Sequence, residues 1–149
     1  MFLNQTTQYA LQVLIAMSRD TAKVYTAQEL YGQLHVPLRY LRRLLTNLTK
    51  MGYTESMRGR SGGFKLSQDS KNKTLAEIIN SFEPLDLHNS CFFGMVDCEH
   101  HHDGYCILHD PWQIYWKEII WILQTTTLRQ VFTAKKSYKK IVFLHEKIK

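Results

Sequence analysis

The stretch "TAQELYGQLHVPLRYLRRLLTNLTKMGY", residues 26–53, leaves its chain little choice of local fold. Thr26 with Glu29 three residues later is a capping box, and it opens a helix at Ala27. The segment "HVP" ends that helix early, because Pro37 lacks an N–H and disfavours helical backbone at the residue before it. Proline is well suited to the first turn of a helix, so a second one runs from about Leu38 to Lys50 and stops at Gly52. Leu41, Leu44, Leu45 and Leu48 share one face of it, whereas Arg39, Arg42, Arg43 and Asn47 lie elsewhere. Two helices joined by a tight turn, with arginines near the start of the second, form a helix-turn-helix. A preceding helix over residues 4–18 presents Ala10, Leu11, Leu14, Ile15 and Met17 at helical spacing for packing against the pair.

The next residues extend the pattern. "YTESM" and "GFKLS" are short β-prone runs on either side of "RGRSG". The spacing predicts a hairpin whose Gly59, Gly62 and Gly63 permit positive φ at the tip and whose Arg58 and Arg60 flank the bend. An arginine-tipped β-ribbon directly after such a helix is a wing: it can reach the minor groove or phosphates while the helix reads the major groove. Charge placement agrees. The net charge is +6, but residues 39–65 alone carry +6 and residues 135–149 carry +5, leaving an acidic remainder. A basic stripe suits phosphate contacts, although by itself it describes any solvated lysine face.

The order "TTQYALQVLIAM", "LHVPLRYLRRLLTNLTKMGY", "SMRGRSGGFKLS" and "TLAEIINSFEP" resembles small dimeric winged-helix regulators of bacteria. That family includes the iron-sulfur cluster regulator, the nitric-oxide-sensitive repressor and the cysteine-metabolism repressor. The resemblance runs from Met1 to about Val131, and its most specific part is the glycine and arginine pattern of the wing. It implies a mostly α fold with a small β-hairpin wing, sequence-specific binding to a double-stranded DNA operator as a homodimer, and a long dimerisation helix. On this reading the chain divides into a winged helix-turn-helix domain (1–83), a cysteine-rich cofactor loop (84–109), a dimerisation helix region (110–131) and a basic tail (132–149). Leu38, Arg39, Tyr40 and Arg43 on the recognition helix, with Arg58 and Arg60 on the wing, are the expected DNA contacts.

The loop "CFFGMVDCEHHHDGYCILHDPW", residues 91–112, holds all three cysteines together with His100, His101, His102 and His109. No run approaches the roughly 18 apolar residues that span a bilayer, and residues 1–18 lack the pattern of a secretory leader. A cytoplasmic protein without a membrane partner is therefore expected. In that reducing compartment three clustered cysteines point to metal or redox chemistry rather than a disulfide framework. Six residues separate Cys91 from Cys98, seven separate Cys98 from Cys106, and two separate Cys106 from His109. Zinc sites draw on tighter pairs, whereas an iron-sulfur cluster is wide enough for spread ligands to reach. The resemblance implies an iron-sulfur cluster, of four or two irons, on Cys91, Cys98 and Cys106. "CILH" matches the spacing of the iron-sulfur cluster regulator's third cysteine and histidine, which makes His109 the fourth ligand. The cysteine gaps here exceed the family's usual gap of about five. Some members take a fourth ligand from a carboxylate or histidine near the N-terminus, and "NQTTQY" offers neither. The histidine run remains an alternative ligand set or exposed polar loop. A regulator of this family without a cluster, sensing through cysteine thiols, zinc or a small ligand, is the other reading.

Thr74 and Glu77 repeat the capping box for a fourth helix that Pro84 helps to end. Asp110 as N-cap and Pro111 as first residue then open "WQIYWKEIIWILQT", where Trp112, Tyr115, Trp116, Ile119, Ile120 and Leu123 form a broad apolar stripe. So much apolar surface on one late helix calls for a partner chain. An enzyme is not expected. Cys106 and His109 need not face each other across their short spacing, and no oxyanion or phosphate cradle accompanies them.

Overall fold

The structure is a computed structural model; it describes residues 3–85, 91–93 and 106–132. Five helices and one hairpin make up most of those residues: α1 (Gln5–Ser18), α2 (Ala27–Leu34), α3 (Leu38–Lys50), β1 (Thr54–Met57), β2 (Gly63–Leu66), α4 (Leu75–Asn80) and α5 (His109–Thr125). Short 3-10 turns follow at Asp69–Asn72 and Leu128–Gln130. This is the mostly α fold with a β-hairpin wing read from the sequence. The chain forms two compact units, one from the residues up to Lys73 with those from Thr127 onward, the other Thr74–Thr126. No helix among the described residues is long and apolar enough to cross a membrane.

The first unit is built from locally specified starts and stops. Asn4 caps α1 by accepting from the Thr7 N–H at 2.9 Å. Thr26 caps α2, its hydroxyl accepting from the Glu29 N–H at 3.1 Å while the Glu29 carboxylate accepts from the Thr26 N–H at 2.8 Å. These bonds satisfy amide donors that a helix start otherwise leaves orphaned. The helix-turn-helix bend comes at His35, whose backbone is left-handed at φ 55° and whose N–H closes α2 on the Tyr31 carbonyl. Val36 then plugs into the core, and Pro37 stands as the N-cap of α3.

Leu41, Leu44, Leu45 and Leu48 are all buried, as their spacing requires, and they meet Ala10, Val13, Leu14 and Met17 of α1 and Leu30 of α2 in the core. Burying each large side chain contributes roughly 1.5–3 kcal/mol. The buried face of α1 is turned slightly from the expected one: Thr7, Val13 and Ala16 are inside, while Leu11 and Ile15 are only half-buried.

The hairpin pairs Thr54 with Leu66, Glu55 with Lys65, Ser56 with Phe64 and Met57 with Gly63, antiparallel. Tyr25 adds a one-residue third strand, exchanging two 2.8 Å backbone hydrogen bonds with Phe64. Of the three tip glycines only Gly59 uses a positive φ, at 115°. Gly62 and Gly63 serve another purpose, since a Cβ on Gly62 would strike the Met57 carbonyl and one on Gly63 would lie 2.5 Å from the Tyr25 carbonyl. Their role is close backbone approach rather than turn conformation.

In the second unit α4 begins with the expected capping box: the Thr74 hydroxyl accepts from the Glu77 N–H at 3.1 Å and the Glu77 carboxylate accepts from the Thr74 N–H at 2.7 Å. The ends of this unit lie side by side, the Leu75 N–H donating to the Thr126 carbonyl at 2.9 Å. Helix α5 starts earlier than expected. His109 is its first residue, Leu108 is an N-cap without a side-chain hydrogen bond, and Asp110 lies in the first turn. A turn closed by the His109 N–H on the Cys106 carbonyl leads straight into the helix, so no side-chain cap is needed at Asp110. Pro111 remains within the first turn, where its missing N–H costs nothing. Trp116 and Ile120 are buried, whereas Ile114, Tyr115, Ile119 and Trp121 are exposed.

Candidate nucleic-acid interface and cysteine cleft

The four buried leucines of α3 fix the helix's rotation and thereby what it shows to solvent. Opposite them stand Arg39 and Arg43, four residues apart on one face, with Thr46 and Lys50 continuing the same stripe and Arg42 and Asn47 at its edges. All six are exposed. Thr46 and Lys50 were absent from the expected contacts, although the helical phase set by the leucines is a signal for both. Leu38, at the start of α3, is half-buried.

Tyr40 has a different setting. Its hydroxyl donates to Thr6 Oγ1 at 2.7 Å, and its ring packs edge-on against Tyr9 with centroids 5.5 Å apart. Both contacts tie the start of α3 to the first turns of α1. In the wing, Arg58 and Arg60 are exposed on either side of Gly59. Among the described residues none of the arginines at positions 39, 42, 43, 58 and 60 takes part in an ion pair. Their charge therefore stands uncompensated on one helix face and one hairpin tip, the arrangement that attracts a polyanion.

The second site lies at the start of α5. Cys91, Phe92, Phe93, Cys106, Leu108 and His109 line one narrow cleft. Cys91 is buried and accepts a hydrogen bond from the Phe93 N–H at 3.4 Å, while Cys106 and His109 are half-buried. Three of the four expected metal ligands thus line the same cleft. Cys98 and the histidines at 100–102 lie outside the described residues. Two thiols and an imidazole are the soft donor set that suits iron-sulfur clusters or zinc. Among the described residues, however, no three such donors stand together as a ready-made metal-binding group. Phe92 packs edge-on against Trp112 at 5.4 Å, and Trp112 stacks on Trp116 at 5.7 Å, so a row of aromatic rings runs from the cleft residue Phe92 along the start of α5.

Comparison with known proteins decides the assignment of this architecture. Residues 3–134 match the family model described as Rrf2, iron-dependent transcriptional regulator. The chain belongs to the Rrf2 family. It is 27% identical over 109 residues to the HTH-type transcriptional regulator NsrR of Bacillus licheniformis, covering 72% of this chain and 71% of that one. The fold is similar to that of CymR, the global cysteine regulator of B. subtilis, with a TM-score of 0.66 at 18% identity over 91% of this chain and 99% of the other. It is similar also to T. potens IscR, with a TM-score of 0.61 at 17% identity over 92% and 90% of the two chains. This Rrf2-family protein is accordingly a DNA-binding transcriptional regulator with a winged helix, not an enzyme.

Proposed function

We propose that this Rrf2-family regulator binds a palindromic operator as a homodimer and senses redox, nitric oxide or iron-sulfur status through a cluster held by Cys91, Cys98, Cys106 and His109. The observation that carries the sensing half is the convergence of Cys91, Cys106 and His109 on one cleft at the entrance to α5. A bound cluster would supply a redox-active, nitric-oxide-reactive centre. The residues of this chain do the rest: the thiols anchor, His109 offers the exchangeable fourth position, and Phe92, Phe93 and Leu108 restrict water around them.

On the DNA side, Arg39 and Arg43 are aimed at base edges of the major groove, Leu38 at a thymine methyl, and Arg58 and Arg60 at the minor groove or phosphates. Tyr40, held by Thr6 and Tyr9, contributes as much by fixing the entry of α3 as by touching DNA itself. The exposed arc of Ile114, Tyr115, Ile119 and Trp121 on α5 supports dimerisation through that helix. A twofold dimer sets two recognition helices about 34 Å apart, one turn of DNA, so a small change at the start of α5 alters the fit of both. The functional division remains 1–83 for reading DNA, 84–109 for the cofactor, 110–131 for dimerisation and 132–149 for a basic tail in the cytoplasm.

A second reading is favoured by the lack of a ready metal group among the described residues and by the likeness to CymR. In it the same cleft senses through its thiols, zinc or a small ligand, without a cluster. Anaerobic protein supplied with iron and sulfide separates the two. The cluster reading expects both elements to be retained with broad visible absorption, and to be lost when Cys91, Cys98 or Cys106 becomes serine. A colourless protein, metal-free or holding zinc alone, would establish the second reading instead.

A further inference from the structure

Among the described residues four polar side chains are buried, Thr7, Thr54, Ser67 and Ser70, and the last three lie at the root of the wing. A hydroxyl taken from water costs stability unless it is hydrogen-bonded, and each has one proton to donate. Thr54 opens β1, and its Oγ1 lies 2.9 Å from Thr49 Oγ1 in the last turn of α3. The Thr49 hydroxyl gives its proton to the Leu45 carbonyl at 2.9 Å, so Thr54 is the donor between the two. Ser67 follows β2, and Ser70 lies in the Asp69–Asn72 turn. Their oxygens are 2.7 Å apart; Ser67 Oγ also reaches the Gly52 carbonyl at 2.8 Å, and Ser70 Oγ the Tyr53 carbonyl at 3.0 Å. Two protons cannot serve three contacts. The Tyr53 carbonyl already accepts from the Ser67 N–H at 3.1 Å, so the order that serves every acceptor runs from Ser70 to Ser67 to Gly52.

Gly52 and Tyr53 form the exit of α3, Gly52 with a φ of 78° and the Tyr53 N–H donating to the Leu48 carbonyl at 2.9 Å. Both legs of the hairpin are thus bonded to the end of the recognition helix, β1 through Thr54 and the chain leaving β2 through Ser67 and Ser70. A satisfied buried polar network specifies one geometry, whereas apolar packing tolerates some sliding. The wing is a lever on that root. Over four residues at about 3.3 Å each, a tilt of about 10° carries the tip roughly 2 Å, enough to break a hydrogen bond to a phosphate. We propose that Thr54, Ser67 and Ser70 are positioning residues for DNA binding: their hydroxyls lock the wing to the end of α3, so that Arg58 and Arg60 meet the duplex at a fixed separation from the recognition helix. This rests on the reading of Arg58 and Arg60 as DNA contacts.

The experiment uses the full chain and a DNA duplex that the wild type selects from random sequence. Ser67→Ala, and Thr54→Val, which keeps the side chain's shape without its hydroxyl, are each made alone and together with Arg58→Ala and Arg60→Ala. Affinity is measured over a salt series, and the melting temperature beside it. The expected result is that Ser67→Ala weakens binding by about three- to tenfold, the range one hydrogen bond can move, with a shallower salt dependence. In the protein lacking both wing arginines the same substitution should change affinity no further. Thr54→Val should repeat the pattern, and it carries the comparison, with Ser70→Ala, should Ser67→Ala not fold. A network that only stabilises the fold lowers the melting temperature and weakens binding by the same factor with or without the arginines. That outcome, or folded variants of unchanged affinity, overturns the positioning role while leaving the wing reading intact. If the protein lacking both arginines binds as tightly as the wild type, the wing reading fails and this inference with it.

Discussion

The helix-turn-helix unit and the α5 unit solve the same problem, where to put apolar surface, in opposite ways. Around α3 every large aliphatic side chain on one face is inside: Leu41, Leu44, Leu45 and Leu48 are buried to within a few per cent, and the opposite face is left to cations. Along α5 only Trp116 and Ile120 are buried, while Trp121 remains 62% exposed and Ile114 54%. The first unit closes its core within one chain and offers charge outward. The second offers apolar surface, as a helix does when its remaining partner is another molecule. A DNA reader has to be stable before it meets DNA, whereas the dimerisation proposed for α5 would leave that helix unsatisfied alone.

The most severe way to break this contrast is inside the reader. Leu45→Ala should destabilise the fold by about 2–5 kcal/mol, measured by denaturant unfolding, with loss of operator binding following from unfolding. If Leu45→Ala were as mild as a surface change, the closed core would be misassigned. Next comes the exposed arc of α5. Paired substitution Ile114→Glu and Trp121→Glu should weaken dimerisation by about 2–4 kcal/mol, read by sedimentation equilibrium. A dimer of unchanged affinity would move the interface elsewhere.

The contrast is sharpened by Arg43→Ala, which should cost about 1–3 kcal/mol of operator affinity with no change in melting temperature. Replacing Arg58 and Arg60 together should weaken binding and flatten its salt dependence as well. Unfolding of either variant would mean that these side chains hold the head together rather than contact its ligand. The smallest effect concerns the start of α2. Thr26→Ala should cost about 1 kcal/mol, seen in thermal unfolding. Hydrogen bonds from the Thr26 N–H and hydroxyl, together with Lys23, hold the Glu29 carboxyl below the usual glutamate range. A lowered folded pKa means stability that is present above the ordinary glutamate value near 4.3 and lost as pH falls through the folded value. Glu29→Gln should remove that acidic dependence, leaving the neutral-pH fold in place.

Much of the reader was legible because its information is local. Thr26 with Glu29 and Thr74 with Glu77 act across three residues, and the leucine spacing of α3 fixes burial and arginine exposure together. What escaped depends on distant partners. Gly62 and Gly63 look like turn residues until the carbonyls of Met57 and Tyr25 are brought against them. The tie from the Tyr40 hydroxyl to Thr6, 34 residues away, is likewise beyond any local pattern. Asp110 has the composition of an N-cap, but the turn at Cys106 starts the helix before it. That Cys91, Cys106 and His109 line one cleft is a matter of how α5 and the 91–93 segment come together, which cysteine spacing alone does not fix.

The central claim is that the state of the cysteine cleft governs how the winged helices bind. Its most direct test is the affinity for operator DNA of anaerobically loaded protein, at fixed salt, before and after nitric oxide, with the Cys106→Ser protein alongside. The account predicts a change of tenfold or more in the loaded wild type and none in the Cys106→Ser protein. Equal affinities before and after, in protein verified to carry iron and sulfide, would contradict it.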